Sequence, residues 1–196
     1  GLAQIAAAAG QAGIPAAELE KFTEQAAKMG VAFDITAAEA GDMMAKWRSS
    51  MGLTQDQTVE LADATNALSN ANAAQAKQVG EVLRRYGALG QVAGLTAKQT
   101  AALAATAIGA GAEAEVAATG INSFMRALVK GDGMSDLQRA AFVNVGFDPK
   151  QLQKEVQENA PKAILAVLEG IKTKIPKELQ SQYLTAMFGE EGARAM

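Results

Sequence analysis

The feature that most constrains this chain is a phrase it uses twice. "GLTQDQTVELADATNALS" starts at Gly52 and "GLTAKQTAALAATAIGAG" starts at Gly94, and one offset of 42 residues lays the first on the second. Under that offset Leu53 maps to Leu95, Thr54 to Thr96, Gln57 to Gln99, Thr58 to Thr100, Leu61 to Leu103 and Ala62 to Ala104. The match runs on through Val79 and Ile121, Val82 and Phe124, Leu83 and Met125, and Arg84 and Arg126. A period near 40 residues that holds two helical segments points to stacked helical hairpins, each burying its apolar face against a neighbour. Two copies are too few for a solenoid, and Val31–Met51 and Val145–Gly170 echo the unit only loosely. The expectation is a compact pseudo-repeat: turn, capped helix, second amphipathic helix, glycine exit.

Helical periodicity extends beyond the repeat. Leu19, Phe22, Ala26 and Met29 form one stripe, after a Pro15 suited to a first helical turn. Ala40, Met43, Met44 and Trp47 follow the i, i+3, i+4, i+7 pattern, as do Val79, Val82, Leu83 and Tyr86, and Ile164, Val167, Leu168 and Ile171. Ala117, Ile121, Phe124, Met125 and Leu128 form a further stripe, and no stretch alternates long enough to be a strand. Four helix starts fit the capping box, in which a hydroxyl accepts the N3 amide and a Glu or Gln side chain returns to the N-cap amide: Thr36/Glu39, Thr54/Gln57, Thr96/Gln99 and Ser135/Gln138. Asp148-Pro149-Lys150-Gln151 is a variant with proline at N1. Gly30, Gly52, Gly87 and Gly94 are expected as left-handed stops. The fold class is therefore all-α, a compact array of eight to ten short helices. It divides into a small-residue opening segment (1–14), a helical repeat core (15–130) and a C-terminal helical part (131–196) packed on the core, with "KGDG" at Lys130–Gly133 as the best internal break.

Composition removes much chemistry. The chain has no cysteine and no histidine, which excludes disulfides, thiolate or imidazole zinc sites and any histidine base. Its net charge of −3 comes with no basic block, and Arg84-Arg85 is the nearest thing to one. No stretch reaches the roughly 18 apolar residues of a membrane span, and "GLAQIAAAAGQAG" lacks the basic start of a signal peptide. The first residue is not methionine, so a processed chain or an excised fragment is expected.

The remaining motifs have bland readings. "GALGQVAG" (Gly87–Gly94) lacks the Gly-Lys-Ser/Thr of a phosphate loop and reads as a helix-to-helix turn. "GDGMSD" (Gly131–Asp136) lacks the ligand spacing of a calcium loop. Glu113 and Glu115 cannot face one another on a helix, while Glu190 and Arg194 form an exposed i, i+4 pair. The eight methionines read as fillers of an alanine-rich core, and Trp47 as core or interface. No catalytic, cofactor-binding or metal-binding residue is assigned, and no enzyme activity is expected.

The order of these motifs is itself informative. "LADATNALSNANAAQAKQVGEVLRRYGALGQVAGLTAKQTAALAATAIGAGAEAEVAATGINSFMRALV" (Leu61–Val129), followed by "VGFDPKQL" and the closing "LTAMFGEEGARAM" (Leu184–Met196), resembles the conserved core region of phage tail tape measure proteins. The resemblance implies a structural segment that acts in tail assembly, tail-length determination and genome delivery. It implies synthesis in the host cytoplasm and residence in the virion tail. The implied partners are tail tube and tail-tip proteins and copies of itself, with DNA close by in the tail lumen and membrane contact during infection. Even as one unbroken helix the chain would reach only about 300 Å, so the resemblance implies a folded region rather than the ruler itself. The alternative is an independent helical module that binds protein or nucleic acid, using the Arg84-Arg85 end. If Thr54 and Thr96 only cap helices, replacing either by alanine lowers stability by about 1 kcal/mol in urea denaturation and abolishes no activity.

Overall fold

The computed structural model describes residues 2–11 and 13–194. Gly1 and Ala12 of the opening segment, and Ala195 and Met196 of the closing motif, lie outside the described residues. Among those described there are ten α-helices and no strand. The helices are α1 (Leu2–Gln11), α2 (Leu19–Phe33), α3 (Ala37–Met51), α4 (Gln55–Ala71), α5 (Ala76–Val92), α6 (Ala97–Gly109), α7 (Ala114–Leu128), α8 (Asp136–Val145), α9 (Pro149–Lys174) and α10 (Gln180–Arg194).

Local chemistry sets five of the helix starts. The Thr36, Thr54 and Thr96 hydroxyls each accept the N3 amide at 3.2 Å. The side chains of Glu39, Gln57 and Gln99 return to the N-cap amides at 2.8, 2.9 and 2.9 Å. Ser135 makes only half a box. Its hydroxyl accepts from the Gln138 amide at 3.3 Å, but the Gln138 side chain is drawn away to Lys130 and to the Met187 carbonyl, where it donates at 2.6 Å. A tertiary bond to α10 has displaced the local one. Asp148 caps α9 as expected, accepting from the amides of Lys150 and Gln151 with proline at N1.

Helix ends required correction at two glycines. Gly52 (φ 63°) and Gly94 (φ 80°) adopt the left-handed conformation expected of stops. Gly30 and Gly87 lie inside α2 and α5, and both are buried. α2 stops instead at Asp34 (φ 53°). What Gly30 and Gly87 supply is room: a Cβ on Gly30 would lie 3.0 Å from the Ile35 carbonyl oxygen, and one on Gly87 would collide with the Met51 sulfur.

Three hairpins, α2–α3, α4–α5 and α6–α7, stack in order. Their second helices form one row, α3 on α5 on α7, and their first helices form another, α2 on α4 on α6. α1 lies against α3 at one end of the row and α10 against α7 at the other, while α8 packs on α9. The α2–α3 hairpin, which looks like a loose echo in sequence, is thus a third unit of the stack. Its stripe Ala40, Met43, Met44, Trp47 has the same spacing as Val79, Val82, Leu83, Tyr86 and as Ile121, Phe124, Met125, Leu128. All twelve are buried except Tyr86, which is half-buried.

The repeat also absorbs a shift. α4 and α6 begin 42 residues apart, whereas α5 and α7 begin 38 apart. The turn has moved by about one helical turn of 3.6 residues, so the apolar faces keep their direction.

The helix rows sit close together because small residues line them. Gly80 of α5 faces α3, where an added Cβ would come within 2.5 Å of the Met43 sulfur and 3.3 Å of the Trp47 ring. Trp47, fully buried, donates from Nε1 to the Gly80 carbonyl at 3.2 Å. In α6 five alanines (Ala97, Ala101, Ala104, Ala105, Ala107) are buried. α9 is not one rod. It breaks at Asn159 (φ −155°, ψ 81°), whose Oδ1 accepts from the Lys162 amide at 3.1 Å and so caps the second half, with Pro161 in its first turn. α10 breaks at Gly189 (φ 74°, ψ 172°).

Two outcomes follow. Gly109 faces the Asn72 backbone, which cannot rotate aside as a side chain can. Gly109→Ala should lower stability by about 1–3 kcal/mol, whereas Gly10→Ala, on open helix surface, should raise it by up to about 1 kcal/mol. Urea midpoints of the two variants test the contrast. The Thr36 amide and hydroxyl bonds hold the Glu39 carboxyl below its ordinary 4.5. Its contribution is therefore complete above that range and is lost as pH falls through the lowered value. NMR titration of Glu39 should show the depressed midpoint, and Glu39→Gln should remove that part of the acid sensitivity.

Candidate interaction surface

The sequence motifs with chemical potential are nearly all used up by the fold. In "GALGQVAG", Gly87 and Gly90 are helical and only Gly94 is in a turn, so most of those amides serve the helix rather than a phosphate. The repeat-related Thr58 and Thr100 are fully buried, each donating its hydroxyl proton to a carbonyl one turn back, Thr54 at 2.8 Å and Thr96 at 3.2 Å. Thr65 does the same to Leu61 at 2.7 Å. Asp132 of "GDGMSD" pairs with Lys150 at 3.1 Å and Arg139 at 4.0 Å. Among the described residues no three acidic side chains gather as a metal site would need. Glu113 occupies the N-cap position of α7 without a side-chain cap bond. Seven methionines, Met29, Met43, Met44, Met51, Met125, Met134 and Met187, are buried as core; Met196 lies outside the described residues.

The basic dipeptide is divided. Arg84 binds Glu81 on its own helix at 2.6 Å, and Arg85 reaches across to Glu115 of α7 at 3.5 Å. Other ion pairs join successive first helices: Lys21 of α2 to Asp56 of α4 at 2.8 Å, and Glu60 of α4 to Lys98 of α6 at 2.7 Å. The Asp56 hydrogen bond raises the Lys21 pKa, and the Lys28 hydrogen bond lowers that of Glu24. Glu190 pairs with Arg194 at 3.9 Å, as its spacing predicts. A polar knot ties α3 to α4 and to α2 and the turn before it, with Arg48 donating to Glu18 at 2.8 Å and to the buried Gln55 at 3.1 Å, and Gln55 to Gln25.

What the fold leaves open is shallow surface. One concavity of about 200 Å³ lies between α2 and α4 over Met29, Phe33, Met44 and Ala62. Another, about 160 Å³, runs between α8 and α10 and is lined by Leu137, Ala140, Ala141, Asn144, Gln182, Tyr183 and Ala186. No helix among the described residues is long and apolar enough to cross a membrane. The sequence reading did not single out the α8–α10 groove. Its signal was the run Leu137, Ala140, Ala141, Asn144 at helical spacing, overlooked because alanine carries little apolar weight.

The described residues build a stack of capped hairpins with small-residue contacts, and comparison with known proteins says to which family it belongs. A family model described as phage-related minor tail protein matches residues 1–189. The chain belongs to that family. Over 204 aligned positions that cover all of it, the chain is also 39% identical to a probable tape measure protein of Halomonas phage phiHAP-1. The resemblance seen in the ordered motifs is thereby borne out. The chain spans only 24% of that relative's length. No solved structure matches it.

Proposed function

We propose that this chain is a folded, non-enzymatic segment of a tape measure protein. In this reading it serves tail assembly and length determination and takes part in genome delivery. It is made in the host cytoplasm and resides in the virion tail, against tail tube and tail-tip proteins and copies of itself. The observation that carries the reading is the 39% identity along the whole chain to a probable tape measure protein four times as long. We read the chain as one folding unit, in which 131–196 closes on 15–130 where α10 meets α7.

The geometry favours a node over a ruler. The longest helix, α9, has 26 residues and is broken at Asn159; even straight it would span only about 39 Å. Length measurement would then fall to other parts of the protein. The test is an in-frame deletion of this segment from the full-length protein, with tails imaged by electron microscopy. A node gives absent or malformed tails. A simple ruler gives well-formed tails shorter by up to about 300 Å, and that result would refute the reading.

A further inference from the structure

We propose that the hollow at the end of α7, beside the start of α8 and the break in α10, is a binding site for a carboxylate ligand held by Arg126. The repeat points to it. The position just ahead of the central apolar pair in each second helix holds Asp42 in α3, Glu81 in α5 and Ser123 in α7. In the first two the carboxylate neutralises a cation about one turn on. Asp42 accepts from Lys46 at 2.7 Å, and Glu81 accepts from Nε and Nη2 of Arg84 at 3.0 and 2.6 Å. α7 keeps the cation, as Arg126, but has serine in place of the acid. Arg48, Arg84, Arg85, Arg139 and Arg194 each have a carboxylate oxygen within 4.0 Å, and Arg126, among the described residues, has none. The helix dipole explains a cation in the last turn of α7; it does not explain the loss of the acid that answers that cation in α3 and α5.

The hollow beside Arg126 has the size and the charge for such a ligand. Its volume is about 600 Å³, inside the roughly 300–1,000 Å³ of small-molecule sites. Ser123, Arg126 and Lys130 line it, with Gln138 of α8 and with Phe188 and Gly189 of α10. The Gln138 side chain accepts from Lys130 at 3.1 Å, which holds the ammonium there. No carboxylate lines the hollow, and the acids that follow Gly189, Glu190 and Glu191, turn to Arg194 at 3.9 Å. Two cations and a hydroxyl without an acid among them favour an anion. A guanidinium fork fits carboxylate and phosphate alike. The repeat, in which the same grip closes on a glutamate, selects carboxylate.

The experiment titrates the 196-residue chain with glutarate, an end-blocked tetraglutamate peptide and inorganic phosphate. Calorimetry gives the affinities, and the NMR signal of the Arg126 Nε–H reports the place. Glutarate or the peptide should move that signal saturably, with an affinity that falls as salt is added. Arg126→Gln should weaken binding at least about tenfold through loss of a charge-assisted bond. Its circular-dichroism melt should not change, because the side chain is exposed. Ser123→Glu, which restores the pair found in α5, should close the site to both acids. Lys154→Gln, at an exposed cation outside the hollow, should bind as the wild type does. Equal affinity for the two acids marks a small-molecule ligand, and a preference for the peptide marks an acidic side chain of a protein; either keeps the assignment. An Arg126 signal that neither acid moves, a preference for phosphate over both, or undiminished binding by Arg126→Gln overturns it. None of these results touches the role in the tail, which the deletion experiment tests separately.

Discussion

The close approach of α3 and α5 governs the rest of this fold. Gly80 has no side chain, so the indole of Trp47 can come close enough to α5 to donate to the Gly80 carbonyl and to be removed wholly from water. An aromatic ring of that size contributes much of what a small alanine-rich core can bury. The same economy recurs where Gly87 receives Met51, Gly90 receives Thr100 and Gly41 receives Ile5. Alanine and glycine give up apolar area per residue, and the fold recovers it by short distances between helix axes and by a few large residues that fill the gaps. Methionine suits that filling role because its unbranched chain adapts to irregular space.

Much of this was legible beforehand because its causes are local. A Thr-x-x-Gln start needs only four residues to form, and all three threonine boxes stand as read. Two of the failures come from a tertiary contact that overrode a local preference. Gly87 looks like a stop until Met51 is placed against it, whereas Gly30 is overridden locally, by the turn through Asp34 and Ile35 that ends α2. The Gln138 side chain leaves its cap for a carbonyl on α10, 49 residues away. The third hairpin was hidden for another reason. Its chemistry is conserved as pattern, Met43 and Met44 standing where Val82 and Leu83 do, rather than as identity. The break at Asn159 had a visible sign in Asn-Ala-Pro, which reads as a cap followed by a proline in the first turn.

The surface was harder to read because interaction faces have no periodicity of their own. Leu137 is one apolar residue among polar neighbours, and only the position of α10 turns the alanines beyond it into a hollow. The buried threonines run the other way. Thr58 and Thr100 appear in sequence only as matched positions of the repeat, and in the fold each hydroxyl donates to a carbonyl of the turn behind it.

The ion pairs between first helices carry a consequence beyond their small energy. Asp56 and Lys98 occupy the same place in the repeat, 42 residues apart, yet they have opposite charge. Asp56 meets Lys21 on the preceding helix, and Lys98 meets Glu60. Each exposed pair adds at most about 1 kcal/mol. Were α6 to take the place of α4 beside α2, Lys98 would confront Lys21 and attraction would become repulsion. Near-identical units invite assembly in the wrong order or exchange between chains; alternating sign gives each hairpin an address that biases it toward its own neighbour.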